Sequence, residues 1–329
     1  MTAQLVINAS LPNGLQPMDM TRHLGGLADL IEVCFSYEMD DGGRGILREM
    51  RGLSRLGPGL HLLNWLGLGQ DIWTLGHVWV ESGRVVGSVS TQRSEAQPGA
   101  WLIANVAAHP DYRRRGISFA LMQATLDLIR RRGGAEAILL VDDDNTGAIE
   151  LYRRLGFTDV TTHTHWARPG RSSAPPLEPS RFDLRLRDWR ERPEEMGLAA
   201  LDRPHGLTWN HPLSPADFRP GFLRRLDQLV SGQTEEHWVA ATPAHQHPVG
   251  VLTIHMGLPE GDRLTLITHP ALRGQLERPL LVRGLRRLGA RPWATRIEHP
   301  TADETASAVL RELGFQAART RRWMKKEIR

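Results

Sequence analysis

Between Trp101 and Phe157 short apolar runs alternate with amphipathic ones, and few folds accommodate that order. Trp101-Leu-Ile-Ala-Asn-Val-Ala-Ala108 reads as a strand. The turn His109-Pro-Asp-Tyr-Arg-Arg-Arg-Gly-Ile-Ser118 follows, and beyond it Phe119, Leu121, Met122, Leu126 and Ile129 recur at three- and four-residue spacing. That spacing puts them on one face of a helix, to be packed against a sheet. Ala137 to Val141 reads as a short buried strand, and Asn145 to Phe157 as a second helix closed by Gly156. Strand, helix, strand, helix predicts an α/β protein built on a mixed α+β sheet.

The turn itself suggests a ligand. Three arginines and a glycine at a helix start suit a phosphorylated molecule: the first-turn N–H groups lack intrahelical partners and the helix dipole is positive there. Gly116 also lets an anion approach the backbone closely. A solvated basic turn is the plainer reading of these residues taken alone.

The order of motifs resembles the GNAT superfamily of acyl-CoA-dependent N-acetyltransferases. Its Arg/Gln-x-x-Gly-x-Gly/Ala pattern is met by Arg113-Arg114-Arg115-Gly116-Ile117-Ser118, with Ser118 departing from the usual Gly or Ala. Its Asn-x-x-Ala-x-x-Leu-Tyr-x-x-x-Gly-Phe pattern is met by Asn145, Ala148, Leu151, Tyr152, Gly156 and Phe157. Either half alone is a weak signal, and both in order make a strong one. The resemblance implies acetyl-CoA as co-substrate, with backbone amides from Arg114 to Ser118 holding its pyrophosphate and arginine side chains adding contacts. It also implies that the main chain of Val106, Ala107 and Ala108 pairs with the pantetheine arm, the Val106 N–H polarising the thioester carbonyl. Asn145 would steady the cofactor, a role compatible with a helix N-cap. Tyr152 would be the general acid, against the alternative of a core tyrosine flanked by Ala148, Leu151 and Leu155. The Glu that many relatives carry early in the strand ending at Val106 is absent from Gly99-Ala-Trp-Leu-Ile-Ala104. Glu38 and Glu81 are the candidates for a base acting through water, and neither is assigned.

Composition adds boundaries. The 329 residues suffice for two domains, and 40% hydrophobic with 24% charged content is ordinary for a globular protein. No run approaches the ~18 apolar residues of a membrane span, and no secretory signal is evident, so a cytoplasmic enzyme is expected. Cys34 stands alone, which excludes an intrachain disulfide and Cys-based zinc sites. The net charge is only +4; lysine occurs only at Lys325 and Lys326, so arginine inflates the pI of 9.8 without a large charge at neutral pH. Arg319 to Lys326 is the one stretch resembling a nucleic-acid footprint and reads equally well as a final strand, so a nucleic-acid partner is not expected.

Elsewhere, residues 3–9 read as an opening strand, His23 to Val33 as a helix, Ser36 to Gly43 as an acidic loop and Arg44 to Leu56 as a second helix. In the family the segment between the first two helices lines the acceptor site, so Glu38, Asp40 and Asp41 could attract a cationic amine; solvated carboxylates are the simpler reading. His77–Val80 and Val85–Ser90 form a hairpin turned at Ser82-Gly83, and Thr158–Trp166 a last strand. His163 and His165 share one face of that strand, but with no third ligand evident they read as a surface pair and no metal is expected.

The Pro- and Ser-rich stretch 168–181 is a linker between a domain at 1–167 and one at 182–329. The second half echoes the first: Val249-Gly250 matches Val86-Gly87, His269-Pro270 matches His109-Pro110, and Leu310-Arg-Glu-Leu-Gly-Phe315 matches Tyr152-Arg-Arg-Leu-Gly-Phe157. Echoes in the same order indicate a tandem duplication. In the second copy Leu276 stands for Gly116, Glu277 follows it, and Asp303 and Leu310 replace Asn145 and Tyr152, which marks a degenerate copy. The expected reaction is acetyl transfer to a primary amine of a small molecule. A protein amine as acceptor, and a non-catalytic acyl-CoA sensor, are the alternatives, and a homodimer is left open.

Overall fold

The computed structural model describes residues 12–35, 41–55, 75–94, 97–202, 234–242, 245–257 and 261–328. The opening strand expected at 3–9 lies outside these. The first half begins with β1 (Gly14–Pro17), α1 (Met20–Phe35) and α2 (Asp41–Ser54). β2 (Leu75–Glu81), β3 (Arg84–Arg93) and β4 (Ala100–Ala108) follow, then α3 (Ile117–Arg131), β5 (Glu136–Asp142), α4 (Thr146–Arg154) and β6 (Thr158–Arg168). α2 starts at Asp41, so the acidic loop is shorter than its composition predicts, and Gly42 and Gly43 are helical. The β2–β3 hairpin turns on Ser82 (φ 49°) and Gly83 (φ 76°), the paired left-handed residues that a tight two-residue turn requires.

The second half runs through β7 (Asp183–Leu186), α5 (Arg192–Asp202), β8 (Thr234–Thr242), β9 (His245–Met256) and β10 (Asp262–Thr268). It ends with α6 (Glu277–Leu288), β11 (Thr295–Pro300), α7 (Glu304–Glu312) and β12 (Gln316–Glu327). Between the halves, residues 172–180 carry no regular structure, as Pro and Ser there forbid a ladder.

The twelve strands among the described residues join one sheet in the order β1-β2-β3-β4-β5-β12-β6-β11-β10-β9-β8-β7. Only β4–β5 and β10–β11 are parallel; the other neighbours are antiparallel. The order reads alike from either edge, with an exchange at the centre. β6, the last strand of the first copy, pairs with β11, while β12, the last strand of the second, lies against β5 and β6. Each copy thus completes the other's sheet.

One face is covered by α3 and α4 in the first half and by α6 and α7 in the second, over two apolar clusters. α1 and α5 pack on the opposite face, over smaller clusters built on Val78 and Val80 and on Val239 and Val251. Trp323 on β12 is fully buried against Ala100 and Ile138, which seals the exchanged strand to the first half. No helix among the described residues is long and apolar enough to cross a membrane.

Candidate active site

The arginine turn is built by backbone conformation. His109 caps a one-turn 3-10 segment, Pro110–Tyr112, by accepting from the Asp111 N–H, and Arg113 then extends the chain. Arg114 (φ 61°) and Gly116 (φ 78°) are both left-handed, so the chain coils into the start of α3 with its amides converging. Gly116 is the N-cap of α3, and no side chain caps the helix. A Cβ built on Gly116 meets no atom within 4 Å, so the space before these amides is open. Arg113, Arg114 and Arg115 are exposed around it. Arg115 stacks on Tyr112 with its guanidinium 4.9 Å from the ring centroid and lies 3.6 Å from Glu81. Ile117 is buried, anchoring the helix, while Ser118 stays half-buried at the rim. An uncapped helix start ringed by arginine can hold a diphosphate.

β4 and β5 supply the second element. They pair from Ala100–Glu136 to Ile103–Leu139 and no further, so the sheet splits beyond that point. At the split β4 is bulged: Asn105 is left-handed (φ 52°), its amide donates to the Ser90 hydroxyl at 2.9 Å, and the Ser88 hydroxyl donates to its carbonyl at 3.1 Å. A bulge re-aims the residues after it. It brings Val106, Ala107 and Ala108 onto a β4 edge without a β5 ladder, where an extended arm can pair. The Ala108 carbonyl is held from two sides, by Arg113 Nε at 3.3 Å and by the Cys34 thiol at 3.4 Å. Neither the bulge at Asn105 nor the contact of Cys34 was expected from the sequence; an Asn inside an apolar run is a weak bulge signal, and a lone Cys carries none.

Beneath the split, Asn145 caps α4 by accepting from the Ala148 N–H at 3.2 Å. Tyr152 lies one helical turn beyond Ala148, 5% exposed, its ring 6.0 Å from that of Phe157. Burial pushes its phenol well above the ordinary tyrosine value. The group is therefore a proton donor and never a base at neutral pH. It is a core tyrosine whose hydroxyl stays protonated.

Other candidates resolve differently. Glu38 and Asp40 lie outside the described residues, and Asp41 begins α2. Glu81 faces Arg115 in the turn. The histidine pair is not a surface pair: His163 is 5% exposed, and Glu298 of β11 reaches both rings, His163 Nδ1 at 3.0 Å and His165 Nε2 at 3.4 Å. The sequence could not place Glu298 there because the two lie in different halves. Among the described residues no group of three His, Cys, Asp or Glu is arranged to hold a metal. A cleft of about 520 Å³ lined by Leu126, Gly156 and Lys325 lies at the far end of α3 from the turn, so it is not part of this site.

The second copy repeats several bonds of this scaffold. His269 caps its 3-10 turn by accepting from Ala271, as His109 does from Asp111. Asp303 caps α7 as Asn145 caps α4, and Phe315 N–H bonds the Leu310 carbonyl as Phe157 bonds Tyr152. The turn differs. Gly274 (φ 83°) takes the left-handed place of Arg114, but Leu276 is right-handed and packs under Gly250 as Ile117 packs under Gly87. The turn is thus one residue shorter, and the residue lost is the counterpart of Gly116; the direct match of Gly116 with Leu276 expected from the sequence is corrected accordingly. Glu277 then folds its carboxylate onto the helix start, accepting from the Leu276 N–H at 3.1 Å with the Thr268 hydroxyl 3.5 Å away. A fully buried carboxylate occupies the position an anion would take.

A bulged fourth strand, a split parallel pair and an open helix start are the features by which the fold of the first half is compared with known proteins. Residues 51–157 match the family described as Acetyltransferase (GNAT) family. The chain is 44% identical over 59 residues to a mycothiol acetyltransferase of Clavibacter sepedonicus, covering 18% of this chain and 19% of that one. It is 39% identical over 62 residues to the [ribosomal protein bS18]-alanine N-acetyltransferase of Escherichia coli K12, covering 19% of this chain and 42% of that one. The chain therefore spans less than half the length of either relative. A GCN5-related N-acetyltransferase of Sphaerobacter thermophilus superposes with a TM-score of 0.64 over 97% of both chains at 18% identity. A tandem GNAT protein from the clavulanic acid biosynthesis pathway superposes with a TM-score of 0.56 over 96% of this chain and 98% of that one at 17% identity. These likenesses are of fold: two GNAT-like units in one chain.

Proposed function

We propose that the first copy transfers an acetyl group from acetyl-CoA to a primary amine of a small molecule by direct attack. The observation that carries the reading is the juxtaposition of the open α3 start with the split between β4 and β5. The amides from Arg114 to Ser118 would hold the pyrophosphate, with Arg113, Arg114 and Arg115 contributing charge. The pantetheine arm would pair along Val106 to Ala108 and bring the thioester to the split. There the Val106 N–H would stabilise the oxyanion that forms when the amine nitrogen attacks the carbonyl carbon. As the intermediate collapses, the C–S bond breaks, Tyr152 delivers its phenolic proton to the thiolate, and the proton shed by the nitrogen passes to solvent water, from which Tyr152 is reprotonated. Amide and free CoA thiol result.

The second copy would not bind acyl-CoA in this way, because the buried Glu277 side chain already occupies its helix start. Its part would be structural, completing the sheet and the cleft of the first.

Calorimetry with acetyl-CoA, followed by thiol release against an amine panel, tests the reading. One molecule of acetyl-CoA bound per chain, and thiol released only with amine present, are expected. Absence of acetyl-CoA uptake would overturn it, and uptake without thiol release would leave an acyl-CoA sensor. The likeness to an enzyme named for a ribosomal-protein alanine supports a peptide amine as second reading, so the panel includes peptides with free N-termini.

A further inference from the structure

We infer that the β4 bulge presents two successive backbone N–H groups, those of Asn105 and Val106, to the thioester carbonyl, and that the Ser88 hydroxyl is the positioning group that aims the second. This rests on the acetyl-transfer reading and adds to it a second oxyanion donor and the side chain that holds the pair in place.

The ladder bonds of β4 fix which way each peptide points. In a regular strand the N–H and C=O of one residue face one neighbouring strand, and those of the next residue face the other. On the β3 side the Ser94 N–H donates to the Ala100 carbonyl at 2.9 Å, so Ala100, Leu102 and Ala104 are the residues bonded toward β3. On the β5 side the Glu136 N–H donates to the Gly99 carbonyl at 3.2 Å, so Trp101, Ile103 and then Asn105 face the other way. Beyond the bulge the phase reverses. The His109 N–H donates to the Val86 carbonyl at 2.9 Å, which turns Ala107 toward β3 and Val106 away from it. Asn105 and Val106 together stand opposite Val89, between the pairs Ser90–Ala104 and Ser88–Ala107. Two adjacent residues therefore aim their N–H groups to the same side, which a regular strand does not allow. The left-handed backbone of Asn105 (φ 52°) makes it possible. Successive amides turned in this way form a concave donor site for developing negative charge.

The side they face is the split. Pairing with β5 ends at Ile103–Leu139, one step short of the bond that would use the Asn105 N–H. Asn105 is exposed and Val106 half-buried, so the bulge is within reach of a ligand. Hydroxyls on β3 hold the two peptides from behind. The C=O and N–H of a trans peptide point in opposite directions. The Ser88 hydroxyl donates to the Asn105 carbonyl at 3.1 Å, which turns the Val106 N–H of the same peptide away from β3. The Ser90 hydroxyl donates to the Ala104 carbonyl at 3.1 Å and accepts from the Asn105 side-chain amide at 2.9 Å, which fixes the preceding peptide likewise. Ala104 stands in the ladder, whereas the Asn105 carbonyl belongs to the extra peptide of the bulge. Ser88 thus supplies a bond that the ladder cannot.

The experiment follows the thioester on the full chain and needs no acceptor. Nitrogen-15 labelling at Asn and Val compares the protein bound to CoA with the protein bound to acetyl-CoA. The amide protons of both Asn105 and Val106 should move downfield when the acetyl group is present; movement at Val106 alone, or at neither, would overturn the inference. This arm requires no variant, so it stands whether or not Ser88→Ala folds. Acetyl-CoA carrying carbon-13 at its carbonyl should bind with the infrared band shifted to lower frequency than in free solution. Ser88→Ala should lose about half of that shift or more, since one of two donors is released, while acetyl-CoA affinity by calorimetry stays within twofold. Ser88→Thr should restore the band. Thr91→Val removes a hydroxyl that donates to the Leu102 carbonyl at 2.8 Å, upstream of the bulge, and should leave the band where it is. An unshifted band in the parent, a parental band in Ser88→Ala, or an equal effect of Thr91→Val would overturn the inference with acetyl-CoA binding intact. Absence of acetyl-CoA binding by the parent chain would instead sink the reading beneath it.

Discussion

Burial holds the Tyr152 phenol in its protonated form, so in the proposed reaction it could only give a proton, to the departing sulfur. Tyr152→Phe removes that proton and little volume. A fall in kcat of about 10²-fold is expected, the lower range for a general acid, with acetyl-CoA affinity by calorimetry changed less than twofold. Gly116 is constrained by conformation alone, since its φ of 78° is costly for any other residue and no neighbour crowds a Cβ. Gly116→Ala should cost roughly 1–2 kcal/mol of local strain and place a methyl before the anion-binding amides. Acetyl-CoA affinity should fall by about tenfold or more, the fold-change that such a cost implies, while Tyr152-dependent chemistry at saturation persists. Glu277 is the opposite case. Burial raises its carboxyl pKa in the folded chain, and the backbone amides only partly offset that. The favourable balance is therefore full at pH below the unfolded carboxyl value and is lost as pH rises through the folded one. Glu277→Gln keeps an acceptor on the Leu276 N–H without the charge. It should melt above the parent at pH 8, on the order of 2–4 °C for about 1 kcal/mol, with the gap closing at pH 4.

At the scale of elements, the exchanged β12 carries most weight. It pairs with β5 from Asp142 to Glu136 and with β6 along most of its length. Trp323, wholly buried on it, fills the contact with Ala100 and Ile138. Trp323→Ala should cost about 3–5 kcal/mol, read by denaturant melts. Because the strand belongs to one half in sequence and to the other in space, acetyl-CoA binding by the first copy should be lost in the same transition. Separate transitions for the two halves would contradict this. The β4 bulge is a smaller device of the same kind: Asn105 turns the strand's end so that Val106 to Ala108 face the split.

Across the whole molecule, the two copies are folded through each other. Expressed alone, residues 1–181 would present a bare β5 edge and a β6 with neither neighbour, a template for aggregation. The fragment should be insoluble or bind no acetyl-CoA, and co-expression with 182–329 should restore both. A soluble, acetyl-CoA-binding fragment would show that the exchange is dispensable. The same exchange explains how a copy whose own anion site is filled by Glu277 can still matter: its last strand stands in the sheet of the other.

The motif order from Trp101 to Phe157, the duplication and the degeneracy of the second copy were legible from sequence alone, because each rests on local chemistry: helix period, caps, and glycine at left-handed turns. His109 and His269, or Asn145 and Asp303, perform the same local bond wherever the chain goes next. Which strand lies beside β5, what sits between His163 and His165, and which arginines face Asp142 were decided only by tertiary structure. Those contacts join residues more than a hundred positions apart, and an exchanged and an unexchanged sheet bury the same apolar faces from the same hydrophobic pattern. Periodicity specifies which side of a strand is buried; only the assembled sheet specifies its neighbour.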